Sequence, residues 1–150
     1  MNGIGYDSHR FEAGRRLVLG GVEIPSDRGL AGHSDADALT HAVIDAVLGA
    51  SGLGDIGKHF PDTDPRWKDA DSLELLREVT RLSPRVVHID ATVICEAPKL
   101  GAFREDMEAK LLDASGAGSV NVKFTTNEGM GFVGRGEGVA ALAVVALERS

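Results

Sequence analysis

A chain of 150 residues, 43% apolar and 26% charged, has the size and make-up of one soluble globular domain, expected over 1–150. Its formal net charge of −7 speaks against a nucleic-acid surface, which needs a basic face. No apolar run reaches the roughly 18 residues of a membrane span, no secretion signal is expected at Met1–Gly5, and the single Cys95 permits neither an internal disulfide nor a multi-thiolate metal site; the expected setting is a reducing cytoplasm.

Ile4–His9 reads as a first strand, and Asp7 and His9, two apart, share one of its faces. Arg16–Leu19 and Val22–Ile24 flank Gly20-Gly21, a two-residue hairpin signal. Pro25–Gly32 reads as a loop that delivers His33 to a helix. Ser34 is the expected N-cap of that helix, with Asp37 three residues on. His41 is then expected two turns inside, and Asp45, at i+4, either holds its imidazole or is merely solvated. One carboxylate and two imidazoles form the kind of three-ligand set that catalytic zinc uses with its fourth position open. Asp7, His9 and His41 are therefore the candidate metal ligands, beside the bland alternative of a chance D-x-H and a structural helical histidine.

Gly52–Pro65 is rich in Gly, Pro and Asp and reads as a loop, either a connector or a binding wall. Ser72 is expected to cap a helix carrying Leu73, Leu76, Val79 and Thr80 on one side. Val86–Glu96 alternates as a strand with Val87, Ile89, Ala91, Val93 and Cys95 facing one way. Phe103, Met107, Leu111 and Ala114 form a helical stripe, and Val120, Val122 and Phe124 a further strand. Asn127–Gly138 holds five glycines around Arg135 and Glu137, and the apolar Val139–Leu147 fits a buried strand or a buried helix equally well. The expected fold is α/β in the two-layer α+β sense: a mixed sheet with helices on one face and a small hairpin.

Gly3-Ile4-Gly5-Tyr6-Asp7-Ser8-His9-Arg10-Phe11 resembles the opening signature of the 2-C-methyl-D-erythritol 2,4-cyclodiphosphate synthase family. The likeness continues through His33-Ser34-Asp35-Ala36-Asp37, His41, Gly54–Gly57, Phe60–Asp64, Ala97–Lys99, Thr125–Glu128 and Gly134–Gly138, blocks in one order over nearly the whole chain. The length is that expected of the single-function enzyme rather than the form fused to a cytidylyltransferase. The resemblance implies a phosphorus–oxygen lyase of non-mevalonate isoprenoid synthesis. Its substrate is 4-diphosphocytidyl-2-C-methyl-D-erythritol 2-phosphate, whose 2-phosphate attacks the β-phosphorus and expels CMP.

Carried over residue by residue, the resemblance implies Zn²⁺ on Asp7, His9 and His41, and His33 and Thr126 as catalytic transition-state stabilisers. It implies a second cation, Mg²⁺ or Mn²⁺, near Glu128. Substrate would meet Asp7, His9, His33 and Ser34; its methylerythritol phosphate would meet Asp55, Ile56, Gly57, Phe60, Pro61, Asp62, Thr63 and Asp64. The cytidine would meet Cys95, Glu96, Ala97, Pro98, Lys99, Leu100, Gly101, Thr125, Thr126, Asn127 and Glu128. The family is a homotrimer with active sites between subunits, and Phe132, Arg135 and Glu137 would line an axial cavity for an isoprenoid diphosphate. Phe124 departs from the small residue usual there. Two other readings stay open: a zinc-dependent phosphoesterase with Asp62 and Asp64 as candidate bases, and a non-catalytic binding module.

Overall fold

The computed structural model describes residues 1–149. Its first element, β1 (Asn2–Ala13), is longer than the strand expected. Gly5, Asp7 and His9 turn inward, while Ile4 and Tyr6 stand out, 70% and 52% exposed. β2 (Leu17–Leu19) and β3 (Val22–Ile24) form the expected hairpin as a separate two-stranded sheet. β4 (Arg28–Leu30) lies in the stretch read as loop. Three residues are too few to show a period, and only pairing with Phe11–Ala13 of β1 defines it.

Helix α1 (Ala38–Ser51) lies almost wholly buried across the sheet. Its contact with β1 explains the glycines: a Cβ on Gly5 would stand 1.8 Å from the Ala42 carbonyl oxygen, and one on Gly3 2.0 Å from that of Ala46. Small residues on both partners let the helix backbone touch the strand. The cap is Asp37, not Ser34: its carboxylate accepts from the Thr40 amide at 2.9 Å and from the Gly20 and Gly21 amides at 2.8 and 2.7 Å. One carboxylate thus starts the helix and ties it to the hairpin turn. His41 therefore sits in the first turn, not two turns in.

After α2 (Ile56–His59), a single turn capped by Asp55, a 3₁₀ turn at Pro65–Trp67 leads to α3 (Ser72–Leu82). Asp71 is the cap of α3, and Ser72 is its first residue, with Leu75, Leu76 and Val79 buried. β5 (Val86–Ile94) buries Ile89, Ala91 and Val93 as expected, but an irregularity between Val86 and His88 turns Val86 in and Val87 out. α4 (Arg104–Ser115) buries Met107, Leu111 and Ala114 and leads to β6 (Ser119–Thr125), which runs parallel to β5. The one-turn α5 (Gly131–Gly134) precedes β7 (Gly138–Leu147). β7 settles the open question of the apolar tail: it is a central strand, antiparallel to both β1 and β5.

The main sheet has the order β4-β1-β7-β5-β6, with α1, α3 and α4 layered against one face. The other face is open. On it Ile4 stands opposite Val144 and Tyr6 opposite Leu142, all exposed, beside a polar rim where Asp90 meets Lys123 and Asn121. No described helix is long and apolar enough to cross a membrane.

Candidate active site

Because α1 rests on the glycines of β1, His41 comes down over Asp7 and His9. Asp7 Oδ2 lies 2.8 Å from His9 Nε2 and 3.1 Å from His41 Nδ1, and the two nitrogens are 3.4 Å apart. Ligands about 2.0–2.2 Å from a tetrahedral ion stand roughly 3.3 Å from one another, so this triangle is already close to a ligand face. The three donors make a candidate divalent-metal centre. Each imidazole is oriented from behind. His9 Nδ1 donates to the Ala31 carbonyl oxygen at 2.8 Å, leaving Nε2 toward Asp7. His41 Nε2 lies 2.8 Å from Ser72 Oγ and 3.1 Å from Ser34 Oγ, leaving Nδ1 toward the other two.

The electrostatics match. Burial pushes Asp7 up, but hydrogen bonds and charge from His41 and His9 outweigh it and hold the carboxyl down at about 2. Burial pulls His9 down, and its bond to Asp7 and the nearby carboxylate charges more than offset this, leaving its pKa raised.

Asp45 fits neither reading left open, the support of His41 or mere solvation. Its carboxylate accepts from the Ile56 amide at 2.9 Å and so pins α2, away from His41. Behind His41 stands Ser72, and behind Ser72 stands Asp35.

The triad opens into a cavity of about 510 Å³ lined by His33, Ser34, Ile56, Gly57, Phe60, Pro61, Asp62 and Thr63, with Gly32, Trp67 and Leu75. His33 Nε2 donates to the Asp64 carbonyl oxygen at 3.1 Å, which turns the ring along the wall. Ser34 is buried. Asp55 and Asp64 lie outside this lining: Asp55 accepts from the Lys58 amide, and Asp64 binds Arg66 through both its amide and its guanidinium. Trp67 and Leu75 escaped the sequence reading; Trp67 stacks edge-on to Phe60 at 4.9 Å, and an aromatic pair so spaced leaves no sequence period.

A second cleft, of about 300 Å³, gathers Cys95, Glu96, Pro98, Lys99, Leu100, Gly101, Thr125 and Thr126, together with Phe124 and Arg104. Arg104 lies 5.4 Å over the Phe124 ring, a pairing the sequence did not signal. Burial pushes the Cys95 thiol up. Glu96 Oε1 accepts from the Asn127 amide at 2.7 Å, so it holds the 127–129 turn. Thr126 Oγ1 accepts from the Glu128 amide at 3.2 Å, with Glu128 at a positive φ of 54°. A third hollow holds Ser8, Arg10, Phe132 and Glu137, and Arg135 Nε donates to Glu137 at 2.6 Å.

Fold and site together define a class: a mixed α/β domain with a candidate divalent-metal centre open to a cavity of about 510 Å³. The chain belongs to the YgbB family, whose sequence model matches residues 1–148. It is 56% identical over 99% of its length to the 2-C-methyl-D-erythritol 2,4-cyclodiphosphate synthase of Geobacillus kaustophilus, covering 98% of that protein. It is 59% identical over 98% of its length to the bifunctional enzyme IspD/IspF of an Anaeromyxobacter strain, of which it spans 39%. A solved 2C-methyl-D-erythritol-2,4-cyclodiphosphate synthase in its CDP-bound form superposes with a TM-score of 0.89 at 41% identity, covering 99% of this chain and 100% of that one.

Proposed function

We propose that this chain is a cyclodiphosphate synthase. It converts 4-diphosphocytidyl-2-C-methyl-D-erythritol 2-phosphate into 2-C-methyl-D-erythritol 2,4-cyclodiphosphate and CMP in cytoplasmic isoprenoid synthesis. The observation that carries the reading is the open triangle of Asp7, His9 and His41 beside a cavity of about 510 Å³. A 2-phosphate oxygen forms a bond to the β-phosphorus, the bond from that phosphorus to the bridging oxygen breaks, and CMP leaves with the electron pair. The nucleophile is already anionic, so the work is positioning and charge neutralisation.

Zinc suits two imidazoles and one carboxylate, and when bound it supplies positive charge to a phosphate oxygen. Everything else is done by the chain. His33 faces the folded phosphates, while Ile56, Phe60, Pro61 and Trp67 give an apolar wall that excludes water. Asp62 and Thr63 are exposed and offer partners to the methylerythritol hydroxyls. The second cleft takes the cytidine, with Thr126 stabilising the transition state and Glu128 a site for a harder cation, Mg²⁺ or Mn²⁺.

The working form in this reading is a homotrimer, each site pairing the metal cleft of one copy with the nucleotide cleft of the next. The open apolar strip of Ile4, Tyr6, Leu142 and Val144 supports such burial. The hollow at Arg10, Phe132 and Glu137 is then available to an isoprenoid diphosphate, with Arg135 reaching it only through its bond to Glu137. The test is product analysis in ¹⁸O-water with the diphosphocytidyl substrate. Stoichiometric CMP without solvent label in either product supports cyclisation; solvent ¹⁸O in a product makes the chain a zinc-dependent phosphoesterase instead.

A further inference from the structure

We infer that Ser72 and Asp35 are positioning residues of the metal centre: they hold Nε2 of His41 as a hydrogen-bond donor and so turn Nδ1 toward the place of the ion. The inference rests on the metal reading above. It follows from counting donors. Ser72 is fully buried, and its hydroxyl has one hydrogen. That hydrogen goes to Asp35 Oδ1, a carboxylate oxygen that can only accept, in a short contact. The second oxygen of Asp35 accepts from the Ser72 amide at 2.9 Å, so the carboxylate grips this residue by both backbone and side chain. The remaining capacity of Ser72 Oγ is to accept, and His41 Nε2 stands 2.8 Å away. His41 donates to it through Nε2, and its Nδ1 is thereby turned toward Asp7 and His9, 3.1 and 3.4 Å distant, where the Asp7 carboxylate accepts from it until an ion takes that place. Ser34 Oγ, at 3.1 Å, is the more distant partner and itself accepts from the Ala36 amide.

The geometry of the chain makes the device rigid. Asp35 is also held by the amide of Asp37, the cap of α1, at 3.1 Å, and its own amide donates to the Ala70 carbonyl oxygen at 3.1 Å. The Asp69 amide donates to the His33 carbonyl oxygen at 2.8 Å. The segment carrying His33 is thus zipped to the start of α3, and Ser72 is the point where that zipper meets the metal ligand. Partners of this kind typically change metal affinity 10- to 100-fold.

The test uses the full chain and two readouts. Zinc affinity is measured by competition with a chromophoric chelator, and the imidazole ¹⁵N shifts of His41 report its tautomer in zinc-free protein at mildly alkaline pH. Wild-type His41 is expected to carry a proton on Nε2. Ser72→Ala should lower zinc affinity about 10- to 100-fold and populate the other tautomer. Asp35→Asn, which keeps one acceptor oxygen, should fall between, and it stands in if Ser72→Ala fails to fold. Wild-type affinity together with an unchanged His41 tautomer in either folded variant overturns the inference, as does a wild-type His41 without a proton on Nε2. A wild type that binds no zinc sinks the metal reading instead, while the tautomer measurement still judges the Ser72–Asp35 pair.

Discussion

The two clefts, one proposed for a metal and the other for the nucleotide, are built in opposite ways. The metal cleft is made of side chains on rigid elements, Asp7 and His9 on β1 and His41 on α1, each imidazole fixed from behind. The nucleotide cleft is made of the turns that follow β5 and β6, with Glu96 bonded to the Asn127 amide and Thr126 to the Glu128 amide. Both lie at the same end of the sheet: Asp7 pairs with Ala141, Ala141 with Val93, and Val93 with Phe124. Three strand spacings separate β1 from β6, roughly 14 Å. A metal site tolerates little displacement and so sits where the backbone cannot move. A base pocket reads shape and backbone groups and can sit on turns.

That contrast predicts unequal sensitivity. The largest effect belongs to His41→Ala, which removes a ligand while the helix tolerates alanine. Zinc content should vanish and turnover fall about 10³-fold or more, since the several kcal/mol supplied by the ion are lost; retained turnover in metal-analysed protein refutes the ligand assignment. Next is Gly5→Val. A side chain where no Cβ fits against Ala42 must push α1 off β1. Stability should fall by about 1–3 kcal/mol, and zinc affinity should fall with it even though no ligand has changed. A thermal midpoint and zinc affinity that both stay put would break the argument from backbone contact.

The titration of the metal-free cleft is a smaller effect. With Asp7 held down at about 2, its contribution to stability is full above pH 3.8 and is lost as pH falls through the folded value. With His9 raised, its contribution is full below pH 6.5 and is lost as pH rises through its higher folded value. Zinc must displace the His9 proton, so zinc affinity should climb as pH rises through that value. Thermal midpoints of zinc-free protein against pH, beside calorimetry in two buffers of different ionisation enthalpy, check both signs. Smallest is Phe124→Ala in the nucleotide cleft, which should change KM for the diphosphocytidyl substrate by about 5- to 10-fold, the worth of about 1–1.4 kcal/mol, with zinc content unchanged. A loss of zinc in that variant would erase the distinction between the clefts.

The elements with strong local signals were legible in the sequence: the Gly20-Gly21 hairpin, the alternation of Val120 and Val122, and the Asp7/His9 pair on one strand face. What was not legible was decided by long-range contacts. Ser34 looks like a cap, but Ala36 takes a φ of 57° and Asp37 starts the helix because the Gly20 and Gly21 amides converge on it. Asp45 lies one turn from His41 in sequence, yet the support comes from Ser72, brought there by α3, and Asp35, in the segment before α1. Val139–Leu147 became a strand because both of its edges are paired, a fact no window of nine residues contains.

The central claim is that the two clefts act as one site across copies, and it is tested by mixing chains. Asp7→Ala and Thr126→Ala, each inactive alone, are unfolded together, refolded in equal amounts and verified as mixed trimers. If each site takes its metal half from one copy and its nucleotide half from the next, random assembly should recover about a quarter of wild-type activity. No recovery in verified mixed trimers would contradict the account, because it would place both halves of the site within a single chain.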